Sequence, residues 1–272
     1  MFANPWIVAL CAMFVWWFAT GAILCIVKNA DRRGPDAHVR SVILTAPLGL
    51  LGIYGFVATT NVDTLGAAWL AFGSALLIWG WIEHAFLSGV ITGPNSYPCP
   101  EDCAEFERFF RAWGTIAYHE MLLLTVVIAM LHAAWGAPNQ FGLWTFVILF
   151  VARISAKLNL FLGVRKINTE FLPAPLAHLP SHFHTAPMNW LFPYSVTALT
   201  FAMTCWFERL VTAETPADTV GFTLLAVFTA LALLEHWLMV VPLPDEKLWR
   251  WLMPAPNQKN ENTRPREDAH GL

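Results

Sequence analysis

The sequence predicts an all-α membrane protein, a polytopic bundle of seven transmembrane helices. Of its 272 residues, 57% are hydrophobic and only 13% are charged, whereas a soluble domain carries about 25% charged residues. Seven apolar stretches reach the roughly 20 residues that a helix needs to cross a bilayer. This composition excludes a soluble enzyme, and the net charge of −3 gives no indication of a nucleic-acid partner.

The apolar stretches define the expected helices in chain order. The first has no basic segment before it and is too long for the core of a signal peptide, so we expect a retained span. Pro47 lies inside the second stretch and Pro193 near the start of the sixth, where each favours a kink or a helix start. The predicted spans are 4–27, 41–61, 65–91, 112–135, 141–163, 188–211 and 218–241.

The connections alternate in charge, and this alternation predicts the topology. Thirteen of the 16 Lys and Arg residues fall in the odd-numbered connections and the C-terminal tail, against Arg209 alone in the even-numbered ones. Because basic residues stay on the cytoplasmic side, the N-terminus is expected in the periplasm and the C-terminus in the cytoplasm.

Two connections and the tail are expected to have distinct structures. In the loop 92–111, Glu101 and Asp102 precede an amphipathic run, which predicts a short interfacial helix. The loop 164–187 is rich in Pro and His and is expected to fold back over the cytoplasmic mouth of the bundle. The transmembrane domain would then comprise 1–253, followed by a polar, disordered cytoplasmic tail at 254–272.

Ionisable residues inside the spans are the main candidate for a functional site. Three helices each carry an adjacent Glu and His, and with the predicted topology the three His lie at one depth, roughly 8–10 Å below the cytoplasmic surface. The fifth span contributes two cations and an asparagine at a similar depth. We call this set the polar layer: Glu83, His84, His119, Glu120, Arg153, Lys157, Asn159, Glu235 and His236.

The charges of the polar layer need partners inside the membrane. Five full charges left in lipid would cost roughly 12–18 kcal/mol, at about 2.5–3.5 kcal/mol each. One interpretation is a structural network in which Arg153 and Lys157 neutralise the glutamates and the histidines bond between helices. Proton handling or substrate binding without a metal is another.

Cofactor binding is the further alternative. A neutral imidazole suits a transition metal or the magnesium of a chlorin, so His84, His119 and His236 are candidate cofactor ligands. Glu and His from several helices are also typical of carboxylate-bridged metal sites, although adjacent residues point about 100° apart on a helix. The candidate metal ligands are Glu83, His84, His119, Glu120, Glu235 and His236.

Histidines and cysteines outside the spans are weaker candidates. Pro180 interrupts any helix that would align His178, His182 and His184, and loop histidines are expected to be solvated. Cys99 and Cys103 have neither the spacing of a CxxC redox motif nor that of a zinc site.

Several runs between about Glu83 and Val196 resemble the PuhE family, photosynthetic complex assembly proteins of purple and related phototrophic bacteria. The most specific is Ser-Ala-Lys-Leu-Asn-Leu-Phe-Leu-Gly-Val, which begins at Ser155. Others are Ile-Thr-Gly-Pro from Ile91, Phe-Arg-Ala-Trp from Phe110, Gly-Ala-Pro-Asn from Gly136, Glu-Phe-Leu-Pro from Glu170 and Met-Asn-Trp-Leu-Phe-Pro from Met188.

The resemblance implies a multi-pass protein of the bacterial inner (intracytoplasmic) membrane that helps the reaction centre and its core antenna to assemble, with a link to bacteriochlorophyll supply. The family implies no settled catalytic residues. The matching positions that are the best candidates for function are His119, Glu120, Arg153, Lys157, Asn159, Asn168 and Glu170.

The first hypothesis is therefore a non-enzymatic assembly factor that contacts reaction-centre or core antenna subunits within the lipid bilayer, with bacteriochlorophyll as the candidate cofactor. The alternative is a membrane metalloenzyme acting on a pigment precursor, with a transition metal held by the Glu and His ligands named above. A transporter with a midway polar site is a third hypothesis, although the chain lacks paired broken helices and inverted repeats.

Overall fold

A computed structural model describes residues 2–100, 102–167, 169 and 172–241. Within these ranges the chain folds into α-helices, with two 3₁₀ turns and no strand beyond one isolated bridge between Val164 and Thr185; the connections after α3 and α5 are long and the others are short. The helices are α1 (Pro5–Arg33), α2 (Pro35–Thr59), α3 (Leu65–Leu87), α4 (Glu105–Ala133), α5 (Phe141–Leu162), α6 (Leu191–Val211) and α7 (Pro216–Leu238).

The predicted all-α membrane bundle is confirmed. In the described part of the chain, six helices are long and apolar enough to cross a membrane, namely all except α6. The helix α6 has 21 residues, enough for about 31 Å of helix, but it is less apolar than its neighbours. The number of seven crossings and the orientation in the membrane stay predictions.

The first connection is shorter than the sequence predicts. The basic segment expected to be a loop, from Lys28 to Arg40, is helical on both sides of Gly34. Gly34 adopts φ 97°, which ends α1, and Pro35 begins α2 at once. The last turn of α1 carries Arg32 and Arg33, where positive charge is favourable to the helix dipole.

The prediction of a separate interfacial helix within 92–111 is wrong. Its amphipathic residues form the first turns of α4, which begins at Glu105 and runs without interruption to Ala133. No proline follows Glu105 in this helix, and Glu105 and Glu107 occupy the first turn, where acids stabilise a helix. His119 consequently lies in the middle of a longer helix rather than near its beginning. Glu101 lies outside the described residues.

The helix α3 is the centre of the bundle, in contact with α1, α2, α4, α5 and α7. One buried cluster joins α1, α3, α5 and α7 around Phe72 and Phe228, whose rings meet edge to face at 4.9 Å. A second cluster joins α2, α3, α4 and α5 around Phe146. Close contact between helices places α3 and α5 side by side, which brings their polar residues together.

The end of the bundle where α3, α5 and α7 finish is covered by the connection that follows α5. Gly163 turns the chain with φ 117°, and Leu176 and Leu179 pack on Phe86 of α3. The backbone N–H of Lys166 donates to the carbonyl of Met239 at 3.0 Å. The connection thus lies over the mouth of the bundle, where the sequence predicts it. Asn168, Glu170 and the predicted tail 254–272 lie outside the described residues.

Candidate functional site

Glu83 links three helices at the centre of the polar layer. Its Oε2 accepts a hydrogen bond from Arg153 Nη2 of α5 at 3.2 Å, and its Oε1 lies 3.6 Å from His119 Nε2 of α4. Glu83 is buried, with 7% of its surface exposed. A carboxylate at such a position is tolerable because a cation neutralises it.

A second ion pair lies beside the first. Lys157, one helical turn after Arg153 on α5, forms an ion pair with Glu120 of α4. The Lys157 ammonium also lies over the face of Phe86, 5.2 Å from the ring centre, a favourable position for a cation. Two of the three layer carboxylates are therefore each paired with a cation of α5.

His119 is the most enclosed ionisable residue of the layer. Its exposed fraction is 0%, and its ring lies 4.4 Å from the ring of Phe86. Neither ring nitrogen has a hydrogen-bond partner among the described residues. Its backbone N–H donates to the carbonyl of Thr92, outside the helix, at 3.0 Å.

His84 and His236 are bonded to neighbouring helices rather than to the carboxylates. His84 hydrogen-bonds through both ring nitrogens to hydroxyls of α2, Ser41 at 3.1 Å and Thr45 at 3.0 Å. His236 Nε2 lies 2.8 Å from the hydroxyl of Ser155 on α5, and its Nδ1 lies 2.8 Å from the Ala232 carbonyl. These two imidazoles hold α2, α3, α5 and α7 in register.

Glu235 differs from the prediction of a buried carboxylate, because it is exposed. Its Oε1 accepts a hydrogen bond from Trp16 Nε1 of α1 at 3.1 Å, and its side chain lines an open cavity. Adjacent residues on α7 point in different directions, so Glu235 faces this cavity while His236 is buried against α5.

We call this space the layer cavity; it has a volume of about 540 Å³ and lies between α4, α5, α7 and the connection after α5. Four ionisable residues of the polar layer line it: Glu120, Arg153, Lys157 and Glu235. Most of its remaining wall is apolar and includes Phe86, Trp113, Ile116, Phe161, Leu179 and Phe183. The volume lies within the range of about 300–1,000 Å³ that is usual for small-molecule sites.

The six candidate metal ligands do not converge. Glu83 and His119 are neighbours, but His84 faces α2 and His236 faces α5. In the described ranges of the chain, no group of three or more His, Cys, Asp or Glu side chains is arranged to hold a metal ion. The geometry of the layer is instead that of two ion pairs beside an amphipathic cavity.

Asn159 is fully buried and connects the helix ends near the layer. Its amide donates to the carbonyl of Ser155 at 2.9 Å and to the hydroxyl of Ser195 on α6 at 3.0 Å. Asn189 in turn donates to the carbonyls of Asn159 at 3.2 Å and Gly163 at 2.8 Å. This network fixes the start of α6 against the end of α5.

One loop histidine is also part of the cavity wall. His182 was expected to be solvated, but only 2% of its surface is exposed. Its Nε2 lies 3.3 Å from the carbonyl of Tyr97. Burial lowers the pKa of His182, the Tyr97 carbonyl acts in the opposite direction, and His178, Arg111 and Arg108 add to the lowering.

The sequence does not identify the residues that form hydrogen bonds with the side chains of the polar layer. Ser41, Thr45, Ser155 and Trp16 each bond to a layer residue. The only signal for them is a hydroxyl or indole inside an apolar span, and such groups are too common in membrane helices to be selective.

Comparison with known proteins now defines the family. A family model described as "Protein of unknown function (DUF3623)" matches residues 2–260. The chain belongs to this family. It is also 54% identical over 252 residues to a Rhodobacter capsulatus protein described as "Uncharacterized 30.4 kDa protein in puhA 5′region". The match covers 93% of this chain and 92% of that relative. No solved structure matches the chain.

Proposed function

We propose that this protein is an assembly factor for the photosynthetic reaction centre and its core light-harvesting complex, and that it handles bacteriochlorophyll during that assembly. The observation that carries the proposal is the 54% identity, across nearly the whole chain, to a protein encoded in the puhA region of Rhodobacter capsulatus. The resemblance of the motifs around His119 and Ser155 to the PuhE family agrees with a role in photosynthesis.

The proposed site of action is the inner, intracytoplasmic membrane, with the N-terminus in the periplasm. The long apolar helices support a multi-pass protein, and the distribution of basic residues supports this orientation. Both proposed partners, the pigment-binding subunits and the pigment itself, are membrane-embedded, so such a factor would work within the bilayer.

The outer faces of the bundle offer surfaces for nascent subunits. On α1, Trp6 is 81% exposed, and Phe14 and Phe18 are each 59% exposed, with their two rings stacked at 5.9 Å. Large apolar side chains of this kind bury extensive area when another transmembrane helix packs on them. The layer cavity would receive the pigment or a precursor while these faces hold the subunits.

Deletion of the gene in a phototrophic host tests the proposal. We expect membranes of the deletion strain to contain less reaction centre and core antenna, measured from their near-infrared absorbance bands, and the wild-type gene to restore them. Unchanged absorbance bands and unchanged extracted bacteriochlorophyll would contradict the proposal.

Two histidine variants refine the experiment. His119→Ala removes a fully buried ring beside Glu83, whereas His178→Ala changes a half-buried residue of the connection after α5. We expect His119→Ala to restore the complexes several-fold less well than His178→Ala at equal protein level, measured by immunoblot. Equal restoration by both would remove His119 from the function.

A further inference from the structure

We propose that the layer cavity binds an amphiphile whose polar end presents hydrogen-bond-accepting oxygens, a single carboxyl, ester or keto group, to Arg153. Its apolar body would lie against the aromatic wall. The inference deepens the proposed function, because bacteriochlorophyll and its precursors belong to this chemical class, but the binding site itself is argued from the cavity.

Arg153 carries unused hydrogen-bond donors at the cavity. A guanidinium has five N–H groups, and the hydrogen bond to Glu83 occupies one of them, on Nη2. Its Nε is buried and has no partner among the described residues, while 40% of the side chain remains exposed. The exposed part of the guanidinium lines the cavity, so a ligand oxygen can accept a hydrogen bond from its remaining N–H groups, and a charged donor makes such a bond strong.

The charge balance of the cavity restricts the polar group. Arg153 is paired with Glu83 and Lys157 with Glu120, while Glu235 accepts the Trp16 N–H. No cation of the polar layer is left without a carboxylate partner. The cavity wall also carries Lys166, and Glu120 and Glu235 are the two layer carboxylates that line it. A highly charged head such as a polyphosphate would meet both carboxylates, whereas a keto, ester or single carboxyl oxygen needs only the free donors of Arg153.

The depth of Arg153 below the end of α5 indicates that the ligand is not a bulk phospholipid. Arg153 lies nine residues before Leu162, the last residue of α5, or roughly 13 Å along the helix from its end. A bulk phospholipid keeps its head group at the membrane surface. A ligand that reaches Arg153 with oxygens must carry them on an apolar ring or chain that enters the bundle.

The aromatic wall suits a flat ring system. Phe86, Trp113, Phe161 and Phe183 line the cavity together with aliphatic side chains. Aromatic faces stack well on flat conjugated rings, and the volume of about 540 Å³ is that of a site for a ligand of small-molecule size.

Binding to the purified full-length protein in nanodiscs tests the inference. Three probes share the acceptor chemistry: pyropheophorbide a, a chlorin with one carboxyl group; a long-chain ubiquinone; and oleate. We expect saturable binding of the chlorin, followed by the shift of its red absorption band and by quenching of tryptophan fluorescence, to which Trp113 in the wall would contribute. Arg153→Gln should weaken binding about tenfold or more.

Matched variants separate ligand binding from folding. Ala112→Phe places a ring in the cavity and should abolish binding, whereas Ala129→Phe alters an exposed position of the same helix and should not. Arg111→Gln, which removes a cation outside the cavity, is the control for Arg153→Gln. Ala112→Phe decides the question if Arg153→Gln does not fold, as judged by circular dichroism and gel filtration.

The outcomes distinguish this inference from the proposed function. Arg153-dependent binding of ubiquinone or oleate in preference to the chlorin would support the site and contradict its use for pigment. Absence of binding of all three probes, or binding that neither Arg153→Gln nor Ala112→Phe weakens, would overturn the inference. Complex assembly in the deletion strain is measured separately, so the assembly role stands or fails on its own result.

Discussion

Lys157 and Glu120 form an ion pair inside a membrane-spanning bundle, where removal of one partner leaves the other without compensation. Both side chains are largely buried, at 17% and 15% exposure. We expect Lys157→Met to lower the free energy of unfolding by about 3–5 kcal/mol. The double variant Lys157→Met with Glu120→Leu should recover most of that loss, because neither charge remains.

Reversible unfolding in mixed detergent and SDS micelles measures these differences. Arg111→Gln is the control, since its pair with Glu107 is exposed and such pairs contribute at most about 1 kcal/mol. If the effects of Lys157→Met and Glu120→Leu simply add in the double variant, the two residues do not form a coupled pair.

The ion pairing of the charged residues in the polar layer is predictable from the sequence, but the hydrogen-bond partners of its histidines are not. Charges inside a membrane helix require partners, which is why Glu83, Arg153 and Lys157 could be singled out together. The direction of a side chain around its helix depends on how the helices pack. For this reason the orientation of His84 toward Ser41 and Thr45, rather than toward the carboxylates, is not predictable from the sequence.

The connection between α3 and α4 is held to α4 by backbone contact, and Gly93 permits that contact. Asn95 N–H donates to the Gly114 carbonyl at 3.0 Å, beside the bond from His119 N–H to Thr92. A Cβ at Gly93 would lie 2.0 Å from the Gly114 oxygen. The run Ile-Thr-Gly-Pro from Ile91 thus places this segment against α4 at the level of the polar layer.

Gly93→Ala should accordingly destabilise the protein, by about 1–3 kcal/mol, because the backbone of the segment or of α4 must move. The midpoint of thermal unfolding in detergent measures the effect. Gly73→Ala is the control: a Cβ there meets nothing within 4 Å, and alanine is favoured over glycine inside a helix by about 0.5–1 kcal/mol. A Gly93→Ala midpoint at or above that of Gly73→Ala would show that the close approach is not maintained.

The extent of the helices was the least predictable feature at the level of elements. Hydropathy locates the apolar centre of a helix, and each of the seven predicted spans overlaps one of the helices α1 to α7. Hydropathy does not detect the polar turns that continue a helix beyond its apolar part. Examples are the last turn of α1 through Arg33 and the first turns of α4 from Glu105. Those ends follow from capping and from the absence of breakers.

The packing of α6 within the bundle indicates that it crosses the membrane in spite of its lower hydropathy. Its start is fixed to the end of α5 by the bond from Asn189 to the Gly163 carbonyl at 2.8 Å. The end of α7 returns to the same place, where Lys166 N–H meets the Met239 carbonyl at 3.0 Å. The helices α6 and α7 therefore run antiparallel along the bundle, and about 31 Å of α6 matches a hydrocarbon core of about 30 Å.

Single cysteines in an otherwise cysteine-free protein test this arrangement. Asp63→Cys and Glu214→Cys introduce thiols at exposed sites in the connections after α2 and α6, and Arg165→Cys does so after α5. With seven crossings and a periplasmic N-terminus, a membrane-impermeant maleimide should label the first two in spheroplasts. Cysteine at Arg165 should react only after permeabilisation. If the Glu214→Cys variant, like Arg165→Cys, reacts only after permeabilisation, then α6 does not cross the membrane. The number of crossings would then be six, and the end of α7 would lie in the periplasm.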